Sequence, residues 1–182
     1  MRARLRSWVL LASALILGWA DELPAKVYLT REEATRLAFG SSATVSEERR
    51  ALSPQVRTAI ERRLGRPVPE EAFTFYVGRS AGGIQEYGVV LEEMGKHEPI
   101  TFFVAITPDG HVKDVLVLEY RESRGGEVRG KGFLRQYVGK TSHDPLEIGD
   151  DITPITGATI SARAVSEGVK KALAVWEALY QP

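Results

Sequence analysis

Apolar and polar positions along this chain fall into three regimes. The first is an unbroken apolar run from Trp8 to Ala20. The second is helical. Ala34, Leu37 and Ala38, and then Val56, Ile60 and Leu64, recur three or four residues apart, the spacing that lines up one face of a helix. Thr30-Arg31-Glu32-Glu33 has the form of a capping box, in which Thr30 caps the helix and Glu33 reaches back to the cap amide. Ser53-Pro54 sets a capping hydroxyl before a proline at the first helical position, and Gly65 ends that helix. Arg66-Pro67-Val68-Pro69 reads as a linker or turn into the main domain.

The third regime has the period of strands. Phe73–Val77, Glu86–Leu91, Ile100–Ile106 and Val112–Tyr120 are rich in aromatic and β-branched residues. Turn signals separate them at Ala81-Gly82-Gly83 and Thr107-Pro108-Asp109-Gly110. The last two runs predict an antiparallel hairpin, and all four predict a meander. A charged, glycine-bearing stretch from Arg121 to Gly130 follows. A short helix is expected next, with Phe133, Leu134, Tyr137 and Val138 inward, then an irregular loop from Gly139 to Ile155. The chain closes on a helix from about Ser161 to Leu179. Val165, Gly168, Val169, Ala172, Leu173 and Trp176 form its apolar stripe, with Arg163, Glu167, Lys170, Lys171 and Glu177 opposite. The stripe is expected to pack on one face of the sheet.

The pattern gives an α+β class: an antiparallel β-sheet with flanking helices. It divides into residues 1–20, an N-terminal helical extension over 21–70, and a main domain over 71–182. Three arginines within Met1–Ser7 precede the apolar run, and Gly18-Trp19-Ala20 offers small residues at its boundary. These are the parts of a secretory signal. The run is shorter than the roughly 20 residues of a membrane span, so 1–20 is expected to be a signal peptide, with a short anchor as the alternative. In both cases the remainder lies outside the cytoplasm, in the periplasm or cell envelope.

Composition narrows the chemistry. Lys plus Arg equals Asp plus Glu at 24 each, so no bulk charge favours nucleic acid. There is no cysteine, which removes disulfides, thiolate metal sites, iron–sulfur clusters and cysteine-attached haem. His97, His111 and His143 are scattered and show no metal-ligand spacing; no metal site is expected. No nucleophile–base or acid–base pair stands out, so no catalytic residue is assigned.

One segment concentrates chemistry. Thr156-Gly157-Ala158-Thr159-Ile160-Ser161 stands directly before the last helix. Gly157 permits a turn that other residues resist, and Thr156, Thr159 and Ser161 supply hydroxyls. The unpaired amides and dipole of the helix start favour an anion such as phosphate. The dipole contributes only roughly 0.3–1 kcal/mol, too little to retain a cofactor, whereas a covalent bond through a hydroxyl would retain it. A plain N-cap, with Thr159 or Ser161 starting the helix, fits the same residues.

The segment resembles the S/T-G-A-T-x-T/S flavinylation motif of the FMN-binding domain family, which includes flavoprotein subunits of the Rnf and Nqr electron-transport complexes. Arg121–Gly126 is similar to a glutamate-plus-glycine loop of that family, and Phe133–Lys140 to its aromatic-x-x-x-Gly-Lys segment. The resemblance runs from about Phe73 to Leu179 and is nearest to stand-alone exported members. It implies FMN joined by a phosphoester to Ser161, the position of the motif's last hydroxyl. The modifying partner would be an exported, magnesium-dependent FAD:protein FMN transferase. Serine stands where threonine is usual, and Thr153 where an aspartate is frequent, with Asp150 and Asp151 just upstream. Thr156, Gly157, Ala158 and Thr159 are then expected beside the phosphate. Glu122, Ser123 and Gly125 are expected along the flavin, and Lys140 against phosphate or reduced flavin. Lys96-His97-Glu98-Pro99 is either a cofactor-adjacent loop or a polar turn. The function implied is electron relay between membrane or periplasmic redox partners. A flavin-dependent reductase of an exported small molecule and a non-catalytic binding module remain as alternatives.

Overall fold

The computed structural model describes residues 26–41, 43–80 and 83–181. The expected signal or anchor at 1–20 and the turn residues Ala81 and Gly82 lie outside these. Six strands form one antiparallel sheet in the order β1-β6-β5-β4-β3-β2. They are β1 (Lys26–Val27), β2 (Thr44–Ala51), β3 (Ala72–Ser80), β4 (Gly83–Met94), β5 (Pro99–Ile106) and β6 (Val112–Tyr120). The four runs expected as a meander are β3 to β6, paired in sequence. Among the described residues four α-helices accompany them: α1 (Arg31–Phe39), α2 (Pro54–Leu64), the short α3 (Lys131–Leu134) and α4 (Thr159–Tyr180). Among the described residues no helix is long and apolar enough to cross a membrane.

The helix ends follow their sequence signals. Thr30 and Glu33 make the reciprocal bonds of a capping box. The Ser53 hydroxyl accepts from the Val56 amide, and Gly65 closes α2 in the left-handed region. Both boundaries are therefore local in origin.

Residues 26–70 are not a separate helical appendage. They contain α1 and α2, and they also supply both edge strands, β1 against β6 and β2 against β3. The 66–70 segment is tied into the domain rather than linking to it. Val68 is fully buried. Arg66 reaches Glu93 at 2.8 Å, and Glu70 reaches Lys171 at 2.7 Å. The Arg57 guanidinium donates to the carbonyls of Val68 and Glu70.

β5 is the central ladder of the core. Ile100, Phe102, Val104 and Ile106 face the side covered by α4 and α2, while Phe103 and Ala105 face α1. This two-residue alternation puts consecutive phenylalanines on opposite faces. The α4 stripe packs as expected, with Val165, Gly168, Val169, Ala172, Leu173 and Trp176 all buried. Gly168 lies so close to the Phe102 ring that a Cβ there would sit 1.8 Å from Cζ.

Three orientations differ from expectation. Leu37 is 62% exposed and Val138 48% exposed. Thr35 and Phe39 take the inward positions on α1. The 131–137 segment is one turn of α-helix followed by a 3-10 turn at Arg135–Tyr137, so Val138 falls beyond the helical period that would have turned it inward. Lys171, assigned to the polar face of α4, is only 3% exposed. It pairs with Glu70 and Glu93, both at 2.7 Å, and that pairing satisfies a charge that could not otherwise be buried.

Gly168→Ala is expected to destabilise the fold despite alanine's better helix propensity. The substitution gains about 1 kcal/mol locally and forces a core ring aside at a cost of about 1–3 kcal/mol. The urea midpoint should fall with an unchanged m-value.

Candidate functional site

Three internal segments converge on one cleft of about 610 Å³. The β4–β5 turn brings Lys96 and His97, and the segment after β6 brings Glu122, Ser123, Arg124 and Gly125. The start of α4 brings Gly157, Ala158, Thr159, Ile160 and Ser161. The volume lies in the range of small-molecule sites, roughly 300–1,000 Å³.

The start of α4 departs from an ordinary cap. The cap position is Ala158, which has no side-chain oxygen, and no side chain bonds the first turn. Neither Thr159 nor Ser161 is an N-cap; both lie inside the helix. The first bond of the ladder runs from the Ala162 amide to the Ala158 carbonyl at 2.9 Å. The amides of Thr159, Ile160 and Ser161 precede that ladder, and such amides are the donors of a helix-terminal anion site. Gly157, at φ +81°, makes the turn that delivers the chain into this start.

Ser161 lies on the cleft floor, 5% exposed, with its Oγ 3.0 Å from the Tyr120 hydroxyl. Tyr120 donates its single proton to the Arg124 carbonyl. In the Ser161–Tyr120 pair the serine is therefore the donor. Burial pushes the Tyr120 phenol up, partly opposed by its bond to Ser161. Gly125, at φ +83°, passes directly over this pair. A Cβ there would lie 2.7 Å from the Tyr120 hydroxyl and 2.8 Å from Ser161 Oγ, so only glycine fits.

Glu122 borders the cleft, but its carboxylate is engaged with backbone. Oε1 accepts from the His97 amide at 2.6 Å and the Glu98 amide at 3.2 Å. Burial alone would push this carboxyl up. The amides of His97, Glu98 and Lys96 outweigh it and hold the group below its ordinary range. Glu122 thus clasps the 95–98 turn, and the two readings of Lys96-His97-Glu98-Pro99 meet: it is a turn, and it lines the cleft.

Two expected residues stand apart. Thr156 is exposed and is not part of the cleft wall. Lys140 also lies off the wall. Its ammonium sits 2.7 Å from Asp151 and 3.8 Å from Asp144, where it braces the irregular loop instead of facing a phosphate. Asp151 further accepts from the Glu147 amide. Thr153 is held by Gln136, whose side chain bonds both its amide and its carbonyl. Sequence reasoning did not assign Tyr120, Arg124 or Ile160 to the site. Ile160, 49% exposed at the rim, had its place inside the motif as a signal.

The Glu122 clasp carries a pH signature. Its folded pKa is lowered, so its stabilisation is fully present above the ordinary value of 4.5 and is lost as pH falls through the lower folded value. Glu122→Gln should therefore cost less than about 1 kcal/mol at pH 7, because the carboxylate is largely open to solvent, and less still at an acidic pH well below 4.5. Urea unfolding of both proteins at the two pH values measures the difference.

The model of the FMN-binding domain family matches residues 95–174, which include all three cleft segments. Over 130 residues the chain is 26% identical to one of the subunits of the Na(+)-translocating ferredoxin:NAD(+) oxidoreductase complex of Acetobacterium woodii, covering 66% of this chain and 63% of that one. Over 106 residues it is 32% identical to the corresponding protein of the proton-translocating ferredoxin:NAD(+) oxidoreductase complex of Clostridium ljungdahlii, covering 54% and 57%. The matches thus span less than two thirds of these relatives. The fold is similar to that of Shewanella oneidensis NqrC, with a TM-score of 0.55 at 16% identity, covering 85% of this chain and 89% of that one. It is equally similar to the NqrC-type component of the Na(+)-translocating NADH-quinone reductase of Parabacteroides distasonis, with a TM-score of 0.55 at 13% identity, covering 82% and 84%. The α+β architecture expected from the sequence is shared with these two solved structures, and residues 95–174 are similar to the FMN-binding domain family.

Proposed function

We propose that this protein carries FMN in the cleft at the start of α4, joined by a phosphoester to Ser161, and relays electrons outside the cytoplasm. The observation that carries the reading is the uncapped first turn of α4, opening on the cleft with Ser161 in it. The residues fit the group. The amides of Thr159, Ile160 and Ser161 suit a phosphate. Lys96, His97 and Arg124 add cationic or titratable groups around it. Gly125, lacking a side chain, passes close over Ser161 without displacing its hydroxyl, and Ser123 and Thr159 add hydroxyls to the wall. When bound, the flavin supplies one- and two-electron transfer, which no side chain here supplies; the protein contributes attachment, orientation and local field.

Attachment balances as a transfer from a flavin dinucleotide. Ser161 Oγ forms the new bond to the FMN phosphorus, the bond to AMP breaks, and the serine proton leaves to solvent or to the modifying transferase. The basic and apolar N-terminus supports export. Outside the cytoplasm a tether prevents loss by dilution, since short links hold local concentrations on the order of millimolar. The matched relatives are named as components of ferredoxin:NAD(+) oxidoreductase complexes, which supports a redox partner at the membrane.

Produced with an FAD:protein FMN transferase, FAD and magnesium, the protein should gain the mass of one FMN and turn yellow. Ser161→Ala should remain at its unmodified mass. A colourless, unmodified wild-type protein, or a modified Ser161→Ala, would overturn the reading.

A further inference from the structure

We propose that Tyr120 is the positioning residue for the Ser161 hydroxyl, and that esterification of Ser161 switches the Tyr120 proton from the Arg124 carbonyl to the new phosphoester. The proposal rests on attachment at Ser161. Tyr120 ends β6 and is fixed from both sides, paired with Ile100 of β5 and Lys26 of β1. Its ring is buried, so its hydroxyl is a rigid reference point at the cleft floor.

The protons around this point can be counted. Tyr120 has one, and it goes to the Arg124 carbonyl. Ser161 has one, and it goes to Tyr120 across 3.0 Å. The serine rotamer is thereby set by an acceptor on its inner side, and Gly125 closes over the same pair. The remaining approach to Oγ is from the cleft, where the α4 amides stand ready for the phosphate. Burial keeps the Tyr120 phenol protonated, so it is an acceptor and a donor but not a base. The proton released on esterification must leave by another route.

Esterification removes the serine proton. Two oxygens would then face each other at hydrogen-bond distance with no proton between them, the Tyr120 proton being committed to the Arg124 carbonyl. A buried acceptor pair without a proton is unfavourable, and the Tyr120 O–H can relieve it by rotating about its C–O bond towards the phosphoester. The Arg124 carbonyl, on an exposed residue, passes to water. Loading the cofactor thus loosens the 121–125 segment that borders the cleft.

Tyr120→Phe keeps the ring and removes the hydroxyl. With transferase, FAD and magnesium, its initial rate of FMN gain by intact mass should fall at least tenfold, while its melting temperature stays within a few degrees of wild type. Hydrogen exchange of the 121–128 peptide should become several-fold faster when wild-type protein is loaded. In Tyr120→Phe that exchange should be fast before loading and unchanged after it. A wild-type modification rate in Tyr120→Phe would overturn the positioning role, and equal exchange before and after loading of the wild type would overturn the switch. The exchange comparison on wild type needs no variant to fold. Failure of attachment itself is separately visible as no mass gain in wild type, or as a gain in Ser161→Ala.

Discussion

The Phe102 ring occupies the place where Gly168 has no side chain, and the position of α4 on the sheet follows from that contact. An α-helix and a sheet can slide against each other wherever their surfaces are smooth. A ring seated on bare helix backbone stops the sliding, because close-packed interiors have little room for adjustment. From this point the site follows by arithmetic. Ser161 is seven residues up the helix, about 10 Å away. Ile100, which pairs with Tyr120, is two residues along β5 from Phe102, about 7 Å away. The start of the helix and the end of β6 are thereby brought to one place, and the 3.0 Å bond between Ser161 and Tyr120 is where they meet.

The cleft is consequently built from the ends of regular elements, not from long free loops. Each wall is anchored within a few residues of a strand or helix: 95–98 between β4 and β5, 121–125 after β6, and 157–161 at α4. Side chains then lock the ends together. Glu122 holds the first wall from the second, and Tyr120 holds the second against the third. Farther along, the Tyr137 hydroxyl bonds Ser166 at 2.8 Å, which ties the short helical turns after β6 to α4. A site meant to orient a cofactor needs such support behind its contacting groups.

What could be read from the sequence divides along the same physical line. Elements with strong local signals were legible: the Thr30 box, the Ser53-Pro54 cap, the β5 run and the α4 stripe all formed where expected. β2 was not, because TVSEERRA is an edge strand with little of it buried, and no apolar alternation marks it. β1 is two residues long and exists only as a partner of β6. The motif before α4 was legible as a helix start with free amides, but its cap was not. Which residue caps depends on backbone angles at Ala158, and hydroxyls at Thr159 and Ser161 offered two false candidates. The roles of Glu122, Tyr120 and Lys140 depend on partners 25, 41 and 11 residues away in the chain, and no local pattern encodes them.

The electrostatics of the cleft are hidden from composition for a related reason. Positive and negative residues balance over the chain, so net charge gives no hint of an anion site. The fold sorts them instead. Lys140 is cancelled by Asp151 and Asp144, and Lys171 by Glu70 and Glu93, both away from the cleft. The one carboxylate on the cleft wall, Glu122, is turned onto backbone amides. Among the described residues, Lys96, His97 and Arg124 form none of the ion pairs. They face the cleft together with the positive end of α4, and in a partly enclosed cleft such a field is screened less than it would be on an open surface. Because Glu122 is held by backbone amides and other acids brace the scaffold, a chain with balanced charges places Lys96 and Arg124 beside a single carboxylate on the cleft wall.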